Sequence, residues 1–303
     1  MMINYYRNTK EGEKMKISVL SDIHGNLTAL EVVIEYSMNQ GIEYFIIAGD
    51  HISDCPHPNE VLNRISKLKG WIIRGNREEY IFRTIDDTTV DWNKYRQLDS
   101  MVWTRDELES HNIEFIRKLS DQETIQIQDF DSIRVVHGST EDIYEHLYPH
   151  KEDRLVEILN NIDEKVLICG HTHQQWSKFI NGKLVLNPGS VGGHFNKETS
   201  AEFSILSWSN DEWTVEHHKV KYDIDRLEKD FQMKGLYHKG GIWSRIVVQS
   251  LKEGVNRNIE FIEMANRNAK KLGYSSYKYI PNDVWRITEQ QWNNKRDKII
   301  EDS

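Results

Sequence analysis

KISVLSDIHGNLTALEVVIEYSMNQ, residues 16–40, holds an apolar run, a short polar hinge and a helical pattern in that order. The run at 16–20 reads as a strand. From 26 to 40, Leu27, Leu30, Val33, Ile34 and Met38 recur at helical spacing. The hinge is Asp22–Ile23–His24–Gly25–Asn26, so an acid and an imidazole stand where a strand gives way to a helix. That is the layout of a βα unit whose chemistry lies beyond the strand's carboxyl end.

The same order recurs downstream. A strand at 44–48 precedes Gly49–Asp50, a helix follows at 59–68, and a strand at 71–73 leads into Gly75–Asn76–Arg77–Glu78. Residues 77–119 read mainly as helix, with loops around 86–93. Strands at 124–128 and 132–136 form a hairpin with Asp129–Phe130–Asp131 in its turn, and His137–Gly138 comes next. A helix at 152–161 and a strand at 165–169 lead to Gly170–His171–Thr172–His173. Runs 175–180 and 183–186 flank Asn181–Gly182, a strong hairpin signal. Runs 203–208 and 213–220 flank Asn210–Asp211. Parallel βα units followed by antiparallel hairpins predict an α/β fold of two stacked mixed sheets flanked by helices, a four-layer αββα sandwich over residues 15–222. Residues 223–303 read as a helical extension, with an apolar stripe of Val255, Ile259, Ile262, Ala269 and Leu272 and a last helix opened by Pro281–Asn282. Residues 1–14 read as a flexible tail without the apolar stretch of a secretory signal.

The chain has 303 residues, 38% of them apolar, and a net charge of −9. That charge disfavours a surface for duplex nucleic acid. The apolar runs are too short to cross a bilayer, and two cysteines are too few for a disulfide framework. These features point to the cytoplasm. A small anionic substrate stays compatible, because bound cations supply local positive charge.

The five motifs deliver Asp22, His24, Asp50, Asn76, His137, His171 and His173 to one edge of the fold. Carboxylate, amide and imidazole donors without thiolate suit Mn²⁺, Fe or Zn²⁺. Seven donors exceed one ion's needs and suit two, with Asp50 placed to bridge them. Such a pair clamps a phosphoryl group and activates water for in-line attack, so no protein nucleophile is required.

This ordered series resembles the calcineurin-like metallophosphoesterase superfamily, whose pattern runs D-x-H, G-D, G-N-[HCRW]-[DE], H-G and G-H-x-H. The resemblance covers about residues 15–222. It implies a phosphoesterase in which Asp22, His24, Asp50 and His173 hold one metal ion, and Asp50, Asn76, His137 and His171 hold the other, Mn²⁺ first among the choices. It places His24, Asn76 and Arg77 in the catalytic set, with Asn76 and Arg77 also contacting the substrate phosphate. Many members carry His after the Asn, where it protonates the leaving group. Arg77 cannot do so at neutral pH. That departure favours phosphate or pyrophosphate leaving groups over poor alkoxides. Asn187–Pro188–Gly189–Ser190 resembles a supporting loop of bacterial members. Tyr222–Asp223, the helices after them, and the stretch from Ala265–Asn266 through Gly273–Tyr274 resemble a bacterial subgroup with a C-terminal helical extension that includes asymmetric diadenosine tetraphosphate hydrolases. That likeness implies a nucleotide substrate such as a dinucleoside polyphosphate. Association of copies through the C-terminal helices is also compatible with the pattern. Competing readings are a serine/threonine phosphoprotein phosphatase and a catalytically weak interaction scaffold.

Other residues have plainer readings. Cys169 reads as a small buried hydrophobe. His51 is read as structural, because pleat alternation turns it away from Asp50. Glu78 and Glu79 suit a helix N-terminus; Glu78 has a sharper reading as partner of a ligand or of Arg77. Trp71, Trp176, Trp208 and Trp213 read as strand packing. Tyr237, His238, Lys239 and Trp243 read as packing of the extension, with a second reading in which they reach over the site. His57, His111, His146, His150, His217, His218 and His238 lack a motif partner and read mostly as surface residues.

Overall fold

The computed structural model describes residues 15–127, 130–193, 195 and 197–301. The proposed tail at 1–14 and Asp129 of the proposed turn lie outside the described residues. In chain order the elements begin with β1 (Met15–Leu20), α1 (Leu27–Asn39), β2 (Tyr44–Ala48), α2 (Pro58–Ile65), β3 (Lys69–Ile73) and α3 (Asn76–Asp86). Then come α4 (Asp99–Glu107), α5 (Ser110–Lys118), β4 (Gln122–Ile125), β5 (Ile133–Val136), α6 (Glu152–Asn160) and β6 (Val166–Ile168). Two hairpins follow, β7 (Gln175–Ile180) with β8 (Lys183–Pro188), and β9 (Ser200–Ser209) with β10 (Glu212–Lys221). The chain ends in α7 (Ile224–Met233), α8 (Leu236–Lys239), α9 (Gly241–Glu253), α10 (Arg257–Lys271) and α11 (Asn282–Glu301).

The strands form two five-stranded mixed sheets, ordered β10-β9-β1-β2-β3 and β4-β5-β6-β8-β7. β1, β2 and β3 run parallel, as do β5, β6 and β8, while the hairpin strands add antiparallel edges. Period-two alternation sorts the side chains between layers. Ile17 and Val19 of β1 join Val135, Ile168 and Leu186 in the core between the sheets. Leu20, on the other face of β1, packs with Leu30, Val33 and Ile34 of α1. Leu167, Cys169 and Val185 face Leu155 and Ile158 of α6. The result is the expected αββα sandwich with a helical extension.

Local signals explain the boundaries. Asn26 caps α1, its side chain accepting from Ala29 N at 3.0 Å. Asn181 and Gly182 both take positive φ, 52° and 76°, as do Asn210 and Asp211 at 54° and 61°. Paired left-handed residues make the tight turns whose twist matches flanking strands.

Two details differ from the sequence pattern. Met38 closes the α1 stripe but is exposed, because the buried face there runs through Ser37, whose hydroxyl pairs with Ser18 Oγ at 2.9 Å. The α10 stripe is only partly right: Ala269 is buried and Ile262 packs beside it, but Ile259 is 57% and Leu272 48% exposed. The buried face of α10 is Asn258, Phe261, Ala265, Asn268 and Ala269. Apolar spacing missed it because two of its members are asparagines, and Asn268 is satisfied by Thr288 Oγ1 at 3.0 Å and Gln291 Oε1 at 2.9 Å.

Trp285 of α11 is fully buried against Phe261, rings edge-on with centroids 4.9 Å apart. α9 packs on this pair with one side and on Cys55 and Trp103 with the other. Truncating Trp285 to Ala is expected to cost about 3–5 kcal/mol of unfolding free energy. Urea unfolding would read it, and a loss below about 1 kcal/mol would contradict the packing described.

Candidate active site

The loops after β1 and β2 are zipped together. Asp22 N donates to Gly49 O at 3.1 Å, His24 N to Asp50 O at 2.9 Å, and Gly25 N to His51 O at 2.8 Å. The loops reach this register only with left-handed backbone at Asp22 (φ 55°), His24 (52°) and Asp50 (54°). His171 and His173 adopt it too, at 66° and 55°. Each such residue costs on the order of 1–3 kcal/mol, and strain of this kind gathers at functional sites. Five of the seven motif side chains predicted as ligands are aimed by strained backbone. Glycines give these loops room: a Cβ on Gly75 would overlap Asp50 Oδ1, and one on Gly49 would overlap the His137 ring.

The seven side chains converge. Asp22, His24 and His173 form one group and Asp50, His137 and His171 a second, each with ligand-type atoms within 4.8 Å of one another. The His24 and His173 Nε2 atoms face each other at 3.0 Å. Asp50 lies between the groups, with Oδ1 3.4 Å from His137 Nε2 and Oδ2 3.9 Å from His24 Nε2. Asn76 joins the second group, its Oδ1 2.9 Å from His137 Nε2. Arg77 N donates to Asp50 Oδ1 at 2.8 Å, and its guanidinium borders the same cavity.

Carbonyl partners fix which imidazole nitrogens carry protons. His137 Nδ1 donates to Ala48 O at 2.7 Å and His173 Nδ1 to Gly193 O at 2.6 Å, leaving each Nε2 as the inward atom. His171 Nε2 donates to Tyr144 O at 3.1 Å, leaving Nδ1. The inward His173 Nε2 then faces Asp22 Oδ1 at 3.2 Å, an oxygen that accepts no hydrogen bond among the described residues. His137 Nε2 likewise faces two oxygens. A lone pair opposed to carboxylate oxygens is repulsive without a proton or a cation to share. The donor set, oxygen and nitrogen with no thiolate, is the kind that holds divalent first-row ions. These residues therefore fit two metal ions, one per group.

The electrostatics follow from crowding. Burial pushes the Asp22 and Asp50 carboxyls up, but His173 beside Asp22 and His137 beside Asp50 outweigh it, holding both well below the usual carboxylate range. Burial pushes His137 down, yet Asp50 reverses this and raises it to about 9. At His24 and His171 the nearby carboxylates, Asp50 with Asp54 and Asp50 with Asp22, compensate too little. Burial lowers both to about 4, with His173 and His137 respectively adding to the effect.

Supporting residues surround the groups. Buried Glu78 accepts from Gly75 N at 2.6 Å, Asp50 N at 3.2 Å and His51 N at 2.9 Å. It is thus both a helix cap and a brace for the Asp50 backbone, rather than a partner of the Arg77 side chain. His51 is structural, with Nε2 donating to Ile73 O at 2.8 Å. In the Asn187–Ser190 loop, Asn187 Nδ2 donates to Gly170 O at 2.6 Å and Ser190 Oγ to Asp22 O at 2.8 Å. Asp54 escaped the sequence reading. Asp54 binds Arg77 Nη2 at 3.0 Å, lies 3.6 Å from His24 Nδ1 and accepts from Trp243 Nε1 at 2.9 Å. Trp243 therefore reaches the site, as in its second reading, while Tyr237 packs within the extension. His146, read as surface, is exposed but borders the cavity with its ring centroid 4.1 Å from that of His171, and His57 is buried beside Asp230. Position gave Asp54 one available signal, an acid four residues after Asp50.

A two-sheet α/β sandwich carrying paired oxygen–nitrogen donor groups at its strand ends defines a class of metal-dependent phosphoester hydrolases. Residues 15–211 match the calcineurin-like phosphoesterase superfamily domain, and the chain belongs to that superfamily. An uncharacterized protein of Methanocaldococcus jannaschii is 27% identical over 233 residues, covering 70% of this chain and 90% of its own. The fold is shared with a metallophosphoesterase from Sphaerobacter thermophilus (TM-score 0.62, 22% identity, 80% of this chain and 100% of that one). It is also shared with a hypothetical protein from Pyrococcus horikoshii (TM-score 0.65, 22% identity, 79% and 98%).

Two outcomes are expected. Gly75→Ala drives a methyl group into Asp50 Oδ1, so bound metal, read by elemental analysis, should fall to less than half that of the parent; an unchanged metal content would contradict the close approach. Without metal, His137 keeps its proton up to about pH 9, against about 6.5 in an unfolded chain. Its charged form therefore stabilises the metal-free fold fully below about pH 6.5, and this contribution fades as pH rises through 9. Metal uptake at pH 7.5 should displace that proton and tighten as pH rises. Calorimetry in buffers of different ionisation enthalpy should show about one proton released, and zero release would refute the competition.

Proposed function

We propose that the chain hydrolyses a phosphodiester or phosphoanhydride bond in a nucleotide, with a dinucleoside polyphosphate the favoured substrate. The observation that carries this reading is Asp50 between two imidazole groups, with Arg77 at their edge where a proton donor stands in many relatives. We assign Asp22, His24, Asp50 and His173 to one ion and Asp50, Asn76, His137 and His171 to the other, manganese before iron or zinc. When bound, two such ions neutralise phosphoryl charge and acidify water.

The chain's own residues do the rest. Arg77 has its backbone N–H committed to Asp50 and its guanidinium to Asp54, so it presents a fixed positive charge to the cavity. A guanidinium stabilises growing anionic charge but does not donate a proton at neutral pH. Leaving groups that depart as phosphate or pyrophosphate suit that arrangement. Asn76 and Arg77 are assigned to the phosphoryl oxygens. His24, braced between Asp22, Asp50 and Asp54, completes the catalytic set. Among the described residues no helix is long and apolar enough to cross a membrane.

The Mn²⁺-loaded protein should be offered bis-p-nitrophenyl phosphate, p-nitrophenyl phosphate, diadenosine polyphosphates and phosphopeptides. Diadenosine polyphosphates are expected to give the highest kcat/KM. Asp50→Asn should lower every activity at least about 10³-fold, and Arg77→Ala should cost about 10²-fold on the anhydrides. Turnover of phosphopeptides alone, or wild-type anhydride hydrolysis by Arg77→Ala, would overturn the substrate assignment.

A further inference from the structure

The cavity in front of the two donor groups encloses about 540 Å³, the size of a small-molecule site and far more than one phosphoryl group fills. Its inner wall is polar and charged. Another part of its wall comes from the C-terminal extension: Trp243 and Val247 of α9, and Asn258, Ile259 and Ile262 of α10. Ile259 is 57% exposed, and it borders this cavity. The same residue broke the apolar stripe of α10, so its exposure is bought by something other than helix packing.

The near side carries a flat ring. Phe195 lies parallel to His173, interplanar angle 3° and centroids 5.6 Å apart, and also borders the cavity. Polar groups stand among these apolar faces. Asn258 is only 7% exposed; its Oδ1 accepts from Ser250 Oγ at 3.2 Å, while its Nδ2 finds no acceptor among the described residues. The Glu263 carboxylate is on the same wall. An alkyl chain would leave the buried Asn258 amide without a partner, and a second phosphoryl group would meet Glu263 with like charge. A planar heteroaromatic ring, with apolar faces and hydrogen-bonding edges, matches both.

We propose that the part of the cavity lined by Ile259, Ile262, Asn258 and Phe195 is a nucleobase subsite, holding the ring of an ester whose phosphoryl end lies at Asp50 and Arg77. The subsite extends the phosphohydrolase reading, which supplies the phosphoryl end, but ring binding is measurable without turnover. The extension then serves to select substrates, by closing over the part that does not react.

Calorimetry on the Mn²⁺-loaded full chain with AMP, ribose 5-phosphate and inorganic phosphate tests this directly. AMP should bind at least about tenfold tighter than ribose 5-phosphate. Ile259→Asp and, separately, Ile262→Asp should each shrink that ratio below about threefold. Because the ratio is internal to each protein, a general loss of folding does not mimic the result. Equal affinity for AMP and ribose 5-phosphate in the parent, or an undiminished ratio in both variants, would overturn the subsite. Turnover of bis-p-nitrophenyl phosphate is followed in parallel. A tenfold preference for AMP without any turnover would sink the hydrolase reading and leave the subsite standing.

Discussion

The Asp50 carboxylate is 2% exposed and sits among His24, His137 and the backbone of Arg77. An anion so far from water is stable only if cations or aimed donors surround it. Much of the sandwich can be understood as meeting that demand. β2 carries Asp50 to the rim, β5 supplies His137, and α3 supplies the Arg77 N–H from its first turn. Glu78 adds a second buried carboxylate, satisfied entirely by backbone N–H groups of the same loops. Its role is mechanical: it clamps the Asp50 and Gly75 turns together, so the carboxylate it braces does not swing away from the imidazoles.

Backbone strain falls in the same place. Left-handed φ at Asp22, His24, Asp50, His171 and His173 is a cost that the surrounding hydrogen bonds must offset. The loop-to-loop bonds Asp22 N–Gly49 O and His24 N–Asp50 O do so, as does His171 N donating to Asp22 Oδ2 at 3.0 Å. Donors from separate strand ends thereby fix one another. Rigid aim matters here because like-charged and lone-pair-bearing groups would otherwise turn apart in the absence of a cation.

The sandwich and its seven convergent side chains were legible in the sequence because both rest on local rules. Apolar alternation marks the strands, and each motif follows its strand directly, so β1, β2, β5 and β6 deliver Asp22, Asp50, His137 and His171 to one rim. The outer half of the cavity was not legible. Asp54 looks like an ordinary loop acid until folding sets Arg77, His24 and Trp243 around it. Ile259 reads as a core residue because helical spacing counts apolar residues and ignores buried asparagines. Asn258 and Asn268 occupy the buried face because Ser250 bonds the Oδ1 of the first and Thr288 and Gln291, remote in sequence, bond the Nδ2 of the second. Long-range polar pairing leaves no periodic trace.

The extension is tied to the site at two independent points. Trp243 donates to Asp54, which in turn holds Arg77. Lys197 N donates to Gly254 O at 3.0 Å, joining the segment after Gly193, the acceptor of His173, to the end of α9. Gly254 turns there with φ 64°, and a Cβ would collide with the Lys197 backbone, so the two segments approach as closely as a chain without a side chain allows. The first tie ends on Asp54, which touches both Arg77 and His24, so a shift of α9 would change the orientation of Arg77. The helices after residue 223 are on this geometry a wall of the reaction cavity, and their packing around Trp285 reaches the chemistry through α9.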